Sequence, residues 1–274
     1  MKQHLKYVIP AALIVGAAVF FFSVKRNAKA PIEQDTPARR MEQINKIPIK
    51  DRPYVTLAPR TDGKEVTMNI DIVKNATKAE YELEYQAGSM IQGAFGTIDF
   101  SKEALPVSKK LLFGTCSKGK CRYDEDVSGG SLTIRFEGSQ DPYILKTDFN
   151  LQQMADREGV FTSKDIKASL DVGKAGLTSS AYVVVIGTMG PPAPVDGEII
   201  AGPYSFLSDT SPRLTSAELT IQSKDDLADA QLLQWSGQTW TELTAKVGNN
   251  KISAPVTSLG TFVLVKLAVS AQEE

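Results

Sequence analysis

Both cysteines of this 274-residue chain lie within one short stretch, FGTCSKGKC, so their chemistry is decided locally. Cys116 and Cys121 flank residues 117–120, SKGK, whose composition is typical of a four-residue hairpin loop. Opposed residues of such a hairpin lie within reach of a disulfide bond, whereas a fully extended chain would hold them roughly 17 Å apart. We predict a Cys116–Cys121 disulfide, which by loop entropy contributes only about 2 kcal/mol and pins one loop.

A disulfide in turn indicates an oxidising compartment. Three other roles of the thiols stay open. A redox pair usually has the spacing C-x-x-C beside a βαβ pattern, and that pattern is absent. A zinc site needs about four ligands, and the only histidine, His4, lies in the N-terminal tail. Two unconnected buried thiols are the third possibility.

The stretch DEDVSGG offers oxygen ligands at the spacing of a calcium loop. Asp124, Asp126 and Ser128 occupy positions 1, 3 and 5 of such a loop, and Gly129 follows at position 6. Arg135 stands at position 12, where these loops place a bidentate glutamate. We expect an acidic turn that keeps the loop soluble and no cofactor, and calcium held by Asp124, Asp126 and Ser128 is the alternative.

Trp235 and Trp240 flank a predicted hairpin turn at SGQ. Two exposed indoles side by side would form a stacking platform for sugar rings, whereas buried indoles would pack the hairpin against the core. We expect packing. A carbohydrate-binding or carbohydrate-processing module that uses Trp235 and Trp240 is the alternative function.

Recognisable catalytic motifs are missing from the sequence. Because the body contains no histidine, Ser-His-Asp and Cys-His mechanisms are excluded. No G-x-S-x-G, Walker A or dinucleotide-binding glycine pattern occurs. Residues 53–274 carry 21 Lys and Arg against 28 Asp and Glu, so the body lacks the basic surface that nucleic acids require. We expect neither catalysis nor nucleic-acid binding.

An apolar segment near the N-terminus, YVIPAALIVGAAVFFFSV, contains no charged residue. As a helix it would span about 27 Å, enough to cross a hydrocarbon core of about 30 Å. We predict a cytoplasmic tail at residues 1–6, a transmembrane helix in the lipid bilayer at 7–24, and a charged, proline-containing linker at 25–52. A signal peptide cleaved after Ala-x-Ala is the alternative, and the proline at position 31 disfavours that cleavage.

The signals for the orientation of this helix conflict. Positive charges are more numerous after the segment than before it, which favours a cytoplasmic body. Long domains translocate largely regardless of such charges, and the predicted disulfide requires an oxidising exterior. We therefore expect a single-pass protein of the cell membrane whose body is extracytoplasmic.

From Pro53 onward the hydrophobic pattern has a period of two, which is typical of half-buried strands. Alternating stretches such as YVTLAP, EVTMNIDIV and AEYELEYQA are separated by turn-forming residues, among them TDGK, GSM, VSGG and EGSQDP. AYVVVIGT is almost continuously apolar, so we predict that it is a central strand. The fold class is therefore all-β, with antiparallel sheets.

The composition changes at residues 188–198, TMGPPAPVDGE, which we interpret as a hinge. The hinge divides the body into a β-sandwich domain at 53–190 and a smaller C-terminal β-sandwich domain at 191–270. The expected architecture is an N-terminal transmembrane helix followed by two antiparallel β-sandwich domains.

The stretch 53–152, with RPYVTLAP and YELEYQAG, resembles a fibronectin type III or immunoglobulin-like sandwich, although the core tryptophan usual in those families is absent. The whole layout, including LLFGTCSKGKCRYD and SLGTFVLVK, is similar to uncharacterised single-pass surface proteins of candidate-phylum bacteria. This resemblance implies location and architecture. We expect a structural, adhesive or binding role at the cell surface, with an unknown protein or glycan as the partner.

Overall fold

The computed structural model describes residues 43–138 and 141–267, which form an all-β body, as the period of two predicts. The predicted cytoplasmic tail, the transmembrane helix at 7–24 and most of the linker at 25–52 lie outside the described residues. Within the described part of the chain, no helix is long and apolar enough to cross a membrane.

The described residues contain nineteen strands and one short helix. The strands in chain order are β1 (Tyr54–Pro59), β2 (Glu65–Ile72), β3 (Lys78–Ala87), β4 (Met90–Asp99), β5 (Val107–Leu112), β6 (Gly114–Ser117), β7 (Lys120–Tyr123), β8 (Val127–Glu137), β9 (Tyr143–Gln153), β10 (Val160–Thr162), β11 (Ala168–Asp171), β12 (Tyr182–Gly187), β13 (Glu198–Leu207), β14 (Ala217–Gln222), β15 (Ala230–Trp235), β16 (Trp240–Glu242), β17 (Lys246–Gly248), β18 (Lys251–Val256) and β19 (Gly260–Lys266). Helix α1 (Met154–Arg157) follows β9, and a 3-10 turn (Ile49–Asp51) precedes β1.

These strands form one long sheet and three smaller sheets. The long sheet has nine strands in the order β16-β15-β19-β13-β12-β9-β8-β3-β4. A three-stranded sheet has the order β1-β2-β5, a five-stranded sheet has the order β10-β11-β14-β18-β17, and β6 and β7 form a separate hairpin. Neighbouring strands are antiparallel throughout these sheets.

The three-stranded and five-stranded sheets pack on opposite faces of the long sheet. Val184 and Ile186 of β12 belong to a cluster, the first core, that also holds the apolar side chains of β1, β2 and β5. Val183 and Val185 belong to the second core, together with the apolar side chains of β11, β14 and β18. Because successive side chains of a strand point to opposite faces, each short sheet covers a different face.

Strand β12 is therefore buried on both faces, and its sequence reflects this. Residues 183–186 are fully buried, while β9 and β13 pair along the two edges of the strand. A strand covered on both sides requires a continuous apolar run, where a half-exposed strand would alternate. The prediction that AYVVVIGT is a central strand is confirmed.

The segment predicted as a hinge, 188–198, is packed over its first half. Residues 188–192 are buried. The long sheet continues across this segment, since β12 pairs with β13, and the second core takes side chains from both sides of it. The division of the body into two domains at residue 190 stays a prediction.

One predicted turn is wrong. VSGG, residues 127–130, lies inside β8 and pairs with both β3 and β9. A Cβ atom at Gly130 would collide with the main-chain carbonyl of Glu84. Glycine is needed here because two strands approach closely, and the chain does not turn.

Burial of β12 on both faces leads to a stability prediction. Val184→Ala and Val185→Ala should each lower the free energy of unfolding by about 2 kcal/mol, because each removes methyl groups from a different core. Val247→Ala is the matched control, since Val247 is 58% exposed, and its effect should stay within about 0.5 kcal/mol. Denaturant unfolding of the purified protein measures all three changes. A cost at only one of the two β12 positions would contradict a core on each face.

Candidate functional site

The β6–β7 hairpin carries Cys116 and Cys121 as a directly opposed pair joined by a disulfide, as predicted. The turn is shorter than the predicted four-residue loop, because only Lys118 and Gly119 connect the strands. Both connecting residues have a positive φ, at 50° and 78°, which suits the type I′ turn that follows the twist of the strands. Residues 115–122 are exposed, so the disulfide lies at the tip of a projecting hairpin.

Tyr85 of β3 holds the base of this hairpin. Its hydroxyl donates to Asp124 Oδ2 (2.7 Å) and accepts the Gly114 amide (3.0 Å). Gly114 begins β6 and Asp124 follows β7, so one buried phenol contacts both ends of the hairpin. The Phe113 ring packs edge-on against the Tyr85 ring, with 4.7 Å between the centroids.

Burial raises the pKa of Tyr85, and the neighbouring Asp124 carboxylate raises this pKa further. In the folded protein the phenol therefore stays protonated at pH values where an unfolded tyrosine, with a pKa of about 10, ionises. The stabilisation that the neutral phenol provides is fully present below pH about 10. It is lost as the pH rises from there through the raised pKa.

Cationic side chains of the β1–β2 turn also contact the hairpin base. The Arg60 guanidinium and the Lys64 ammonium lie 5.5 Å and 4.8 Å from the centroid of the Tyr123 ring. Arg60 also donates two hydrogen bonds to the Asp62 carboxylate, at 2.7 Å and 2.8 Å, and this interaction lowers the pKa of Asp62. The hairpin is thus fixed to both the long sheet and the three-stranded sheet.

A groove of about 770 Å³ opens beside this base. Its lining comes from the β1–β2 turn, the β7–β8 loop, the end of β9, helix α1 and the β10–β11 loop. Acidic side chains outnumber basic ones among the charged residues of the lining, which are Asp62, Lys64, Asp124, Glu125, Asp126, Asp156, Arg157 and Lys164. We call this feature the acidic groove.

Side chains of β9 tie β10 to the long sheet inside the acidic groove. Asn150 Nδ2 donates to the Thr162 carbonyl (2.8 Å), and Gln152 Oε1 accepts the Thr162 amide (2.9 Å). The two side-chain amides thus bond the main chain of β10 as a neighbouring strand would. The groove thus combines fixed polar groups of β9 and β10 with charged side chains of both signs.

The structure brings the candidate calcium ligands to this groove. Asp124, Asp126 and Ser128 all line it, but Asp124 already accepts the hydrogen bond of the Tyr85 hydroxyl. Within residues 43–138 and 141–267, no group of three or more His, Cys, Asp or Glu side chains is placed to hold a metal ion. Calcium binding by these three residues stays the alternative.

Trp235 and Trp240 are directly opposed across β15 and β16. Their half-buried rings meet edge to face, with centroids 5.4 Å apart. Trp240 Nε1 donates to the Ala193 carbonyl (3.2 Å), and Trp240 packs against a small apolar cluster that contains Leu233 and Val263. Neither indole lines the acidic groove. Packing occupies part of the Trp240 ring, and sugar stacking by the pair stays the alternative.

Sequence reasoning missed most of the groove. Asp62 and Asp156 line the groove from segments far apart along the chain. Tyr85 contacts the groove lining through Asp124, and only the fold brings these residues together. The alternating pattern of β3 marks Tyr85 as a core residue and gives no sign of its two polar contacts. A buried tyrosine needs a hydrogen-bond partner, and this rule is the one signal that could have drawn attention to it.

Tyr85→Phe tests the anchoring of the hairpin. Removing the hydroxyl should lower the free energy of unfolding by about 1.5–3 kcal/mol, because a hydrogen bond to a carboxylate is lost. Hydrogen exchange at the Gly114 amide should accelerate, and the loss of stability above pH about 10 should become smaller. Tyr143→Phe is the control, since its hydroxyl donates to the Lys74 carbonyl (3.1 Å), and this contact does not involve the hairpin. Unchanged exchange at Gly114 in Tyr85→Phe would refute the anchoring role.

No protein-family model matches the chain, and no match is found among curated proteins or solved structures. The exposed disulfide, the acidic groove and the tryptophan pair are therefore the features from which a function has to be inferred.

Proposed function

We propose that this chain is a single-pass protein of the cell membrane, anchored by residues 7–24, with an extracytoplasmic body that has a structural, adhesive or binding role and no catalytic activity. The body would display two β-sandwich domains, at 53–190 and 191–270. The observation that carries the proposal is the Cys116–Cys121 disulfide at the tip of an exposed hairpin.

An exposed disulfide favours an oxidising environment. Both cysteines are exposed, so burial does not hinder thiol–disulfide exchange with small thiols such as glutathione. The bond closes a short ring, so loop entropy adds little stability that reduction of the bond would have to overcome. Such a bond would be reduced in the cytosol and would persist outside it.

The hairpin and the acidic groove together form the binding surface that we propose. Lys118, Lys120 and Arg122 make the exposed hairpin cationic, while the groove at its base is net acidic. Because Tyr85 holds the hairpin in place, little conformational entropy is lost when a partner binds. A polar protein surface or a glycan with groups of both charges suits this arrangement.

The chemistry of the groove supports binding over catalysis. Asp62 is held by Arg60, which lowers its pKa, whereas a general acid requires a raised pKa. Asp124 is held by the Tyr85 hydroxyl. The Ser163 hydroxyl donates to Asp165 (2.6 Å), and the body contains no histidine that could act as a base towards it.

Thiol labelling in cells that express the full chain tests the proposed location. After acid quenching and denaturation, a maleimide-linked polymer should label neither cysteine, and both should react after reduction, because the disulfide forms outside the cytosol. A membrane-impermeant, amine-reactive biotin should label Lys118 and Lys120 of intact cells.

Two control chains accompany this experiment. A chain that lacks residues 1–24 should stay in the cytosol with both thiols free, so it should react without prior reduction. Cys116→Ser combined with Cys121→Ser should give no thiol labelling under any condition. Free thiols in the full chain, together with lysines that biotin reaches only in lysed cells, would rule out an extracytoplasmic body.

A further inference from the structure

Strand β4 differs from the other edge strands in the described part of the chain. Natural edge strands are protected from pairing with other chains by short length, proline or charged side chains. The other edges of the three larger sheets follow this rule: β10, β16 and β17 have three residues each, β1 ends in Pro59, and β5 carries Lys109 and Lys110. Strand β4 has ten residues, and residues 90–98 include neither a charge nor a proline.

The outer edge of β4 has unpaired main-chain groups within the described structure. Strand β4 pairs with β3 in an unbroken register from Ala87 opposite Met90, and the Phe100 amide donates to the Thr77 carbonyl just beyond. Because bonded and non-bonded pairs alternate in antiparallel sheets, even-numbered residues of β4 bond to β3. The amides and carbonyls of its odd-numbered residues, from 91 to 97, therefore point away from the sheet.

The side chains of these odd-numbered residues lie on the face that neither core covers. Phe95 is 86% exposed and Ile91 is 71% exposed. Gly93 lies between them and leaves a gap in this apolar row. An apolar surface next to unpaired main-chain groups is the feature by which sheets add a further strand.

The sequence of β4 is complementary to itself in an antiparallel, two-fold arrangement. When Ala94 of one copy faces Ala94 of another, each Phe95 lies opposite Gly93 of the other copy, and each Ile91 lies opposite Thr97. An aromatic ring across from a glycine covers the exposed backbone, which stabilises edge pairs of this kind. In each copy, four residues have main-chain amides and carbonyls that point to the outer edge of β4. Together the two copies would form about eight hydrogen bonds.

The charges near β4 are compatible with a second copy. Glu80, Glu82 and Glu84 lie on the same open face, opposite Thr97, Phe95 and Gly93 of β4 respectively. These glutamates belong to β3, the neighbour of β4 in the sheet. The glutamate rows of two copies would therefore lie three strand spacings apart, about 14 Å. This separation exceeds the Debye length of about 8 Å at physiological salt, so repulsion between the rows is largely screened. A partner that recognised this edge through charge would find no charged residue at positions 90–98.

We propose that β4 is a homodimerisation edge, at which two copies of this chain join their long sheets through antiparallel β4–β4 pairing centred on Ala94. A single strand pair buries an area at the low end of specific interfaces, below about 1,200 Å². The dimer is therefore reversible and depends on concentration. The pairing uses only β4 and is independent of the location of the chain in the cell.

Sedimentation equilibrium of the full chain in density-matched detergent tests the proposal. The wild-type chain should dimerise in the micromolar range, and Phe95→Lys should raise the dissociation constant at least about tenfold, because it places a charge on the edge. Val247→Lys is the matched control: Val247 is also an exposed apolar residue on an edge strand, in the five-stranded sheet, and this change should leave the dissociation constant unchanged.

Single cysteine substitutions test the register. Ala94→Cys should form an intermolecular disulfide on mild oxidation, because the two copies of this residue form a non-hydrogen-bonded pair with Cα atoms about 4.5 Å apart. Gln92→Cys should not, since position 92 of one copy faces position 96 of the other, and the two new cysteines lie about 14 Å apart. Both experiments have a readout even when a variant is less stable, because circular dichroism reports folding separately.

Three outcomes would overturn the proposal. One is a wild-type chain that stays monomeric up to about 1 mM. Another is a Phe95→Lys chain that folds and dimerises as strongly as the wild type. The third is cross-linking of Gln92→Cys in place of Ala94→Cys. In the first case, binding of an added strand peptide through β4 would assign this edge to a different protein.

Discussion

Burial of β12 on both faces is the constraint on which the rest of the body depends. Val184 and Val185 are neighbours in the chain, yet they belong to different cores. The three-stranded and five-stranded sheets can therefore lie on opposite faces of one continuous sheet, with β12 between β9 and β13. The placement of the two short sheets on opposite faces explains two surface features. The acidic groove is lined by the β1–β2 turn, by Thr162 of β10 in the five-stranded sheet and by residues of β9. Among the described residues, no sheet covers the face of β3, β4 and β8 that carries Glu82 and Phe95.

The hairpin illustrates how the core determines a surface feature. The disulfide closes a short ring and contributes only about 2 kcal/mol by loop entropy, so it fixes the tip and has little influence on the direction of the hairpin. The direction of the hairpin is set by Tyr85, which is buried in the first core and forms hydrogen bonds with both Gly114 and Asp124. Low solvent access strengthens this bond and raises the pKa of the phenol. Presentation of the proposed binding surface thus depends on a buried residue of β3.

Local patterns predicted the strands better than the site. YVTLAP coincides with β1, and the apolar run at residues 183–186 marks the central strand, because burial on one or two faces leaves a periodic signal. The disulfide could be predicted because both cysteines belong to one hairpin. The prediction of a turn at VSGG was wrong. Glycine is needed both for turns and for the close approach of strands, and sequence alone does not separate the two uses. The groove could not be predicted, because Asp62, Asp124 and Asp156 meet only through tertiary packing.

Strand β4 was not recognised in the sequence for a reason that bears on its role. A strand with one solvated face alternates between apolar and polar residues, and this alternation identified β3. In β4 the odd-numbered positions face solvent in the single chain, yet they include Ile91 and Phe95 where polar residues would be expected. Pairing of two β4 strands accounts for this composition, because it places both side chains against a neighbouring strand and satisfies the adjacent main-chain groups. The apolar residues that obscure the period of two are those that the proposed dimer would cover.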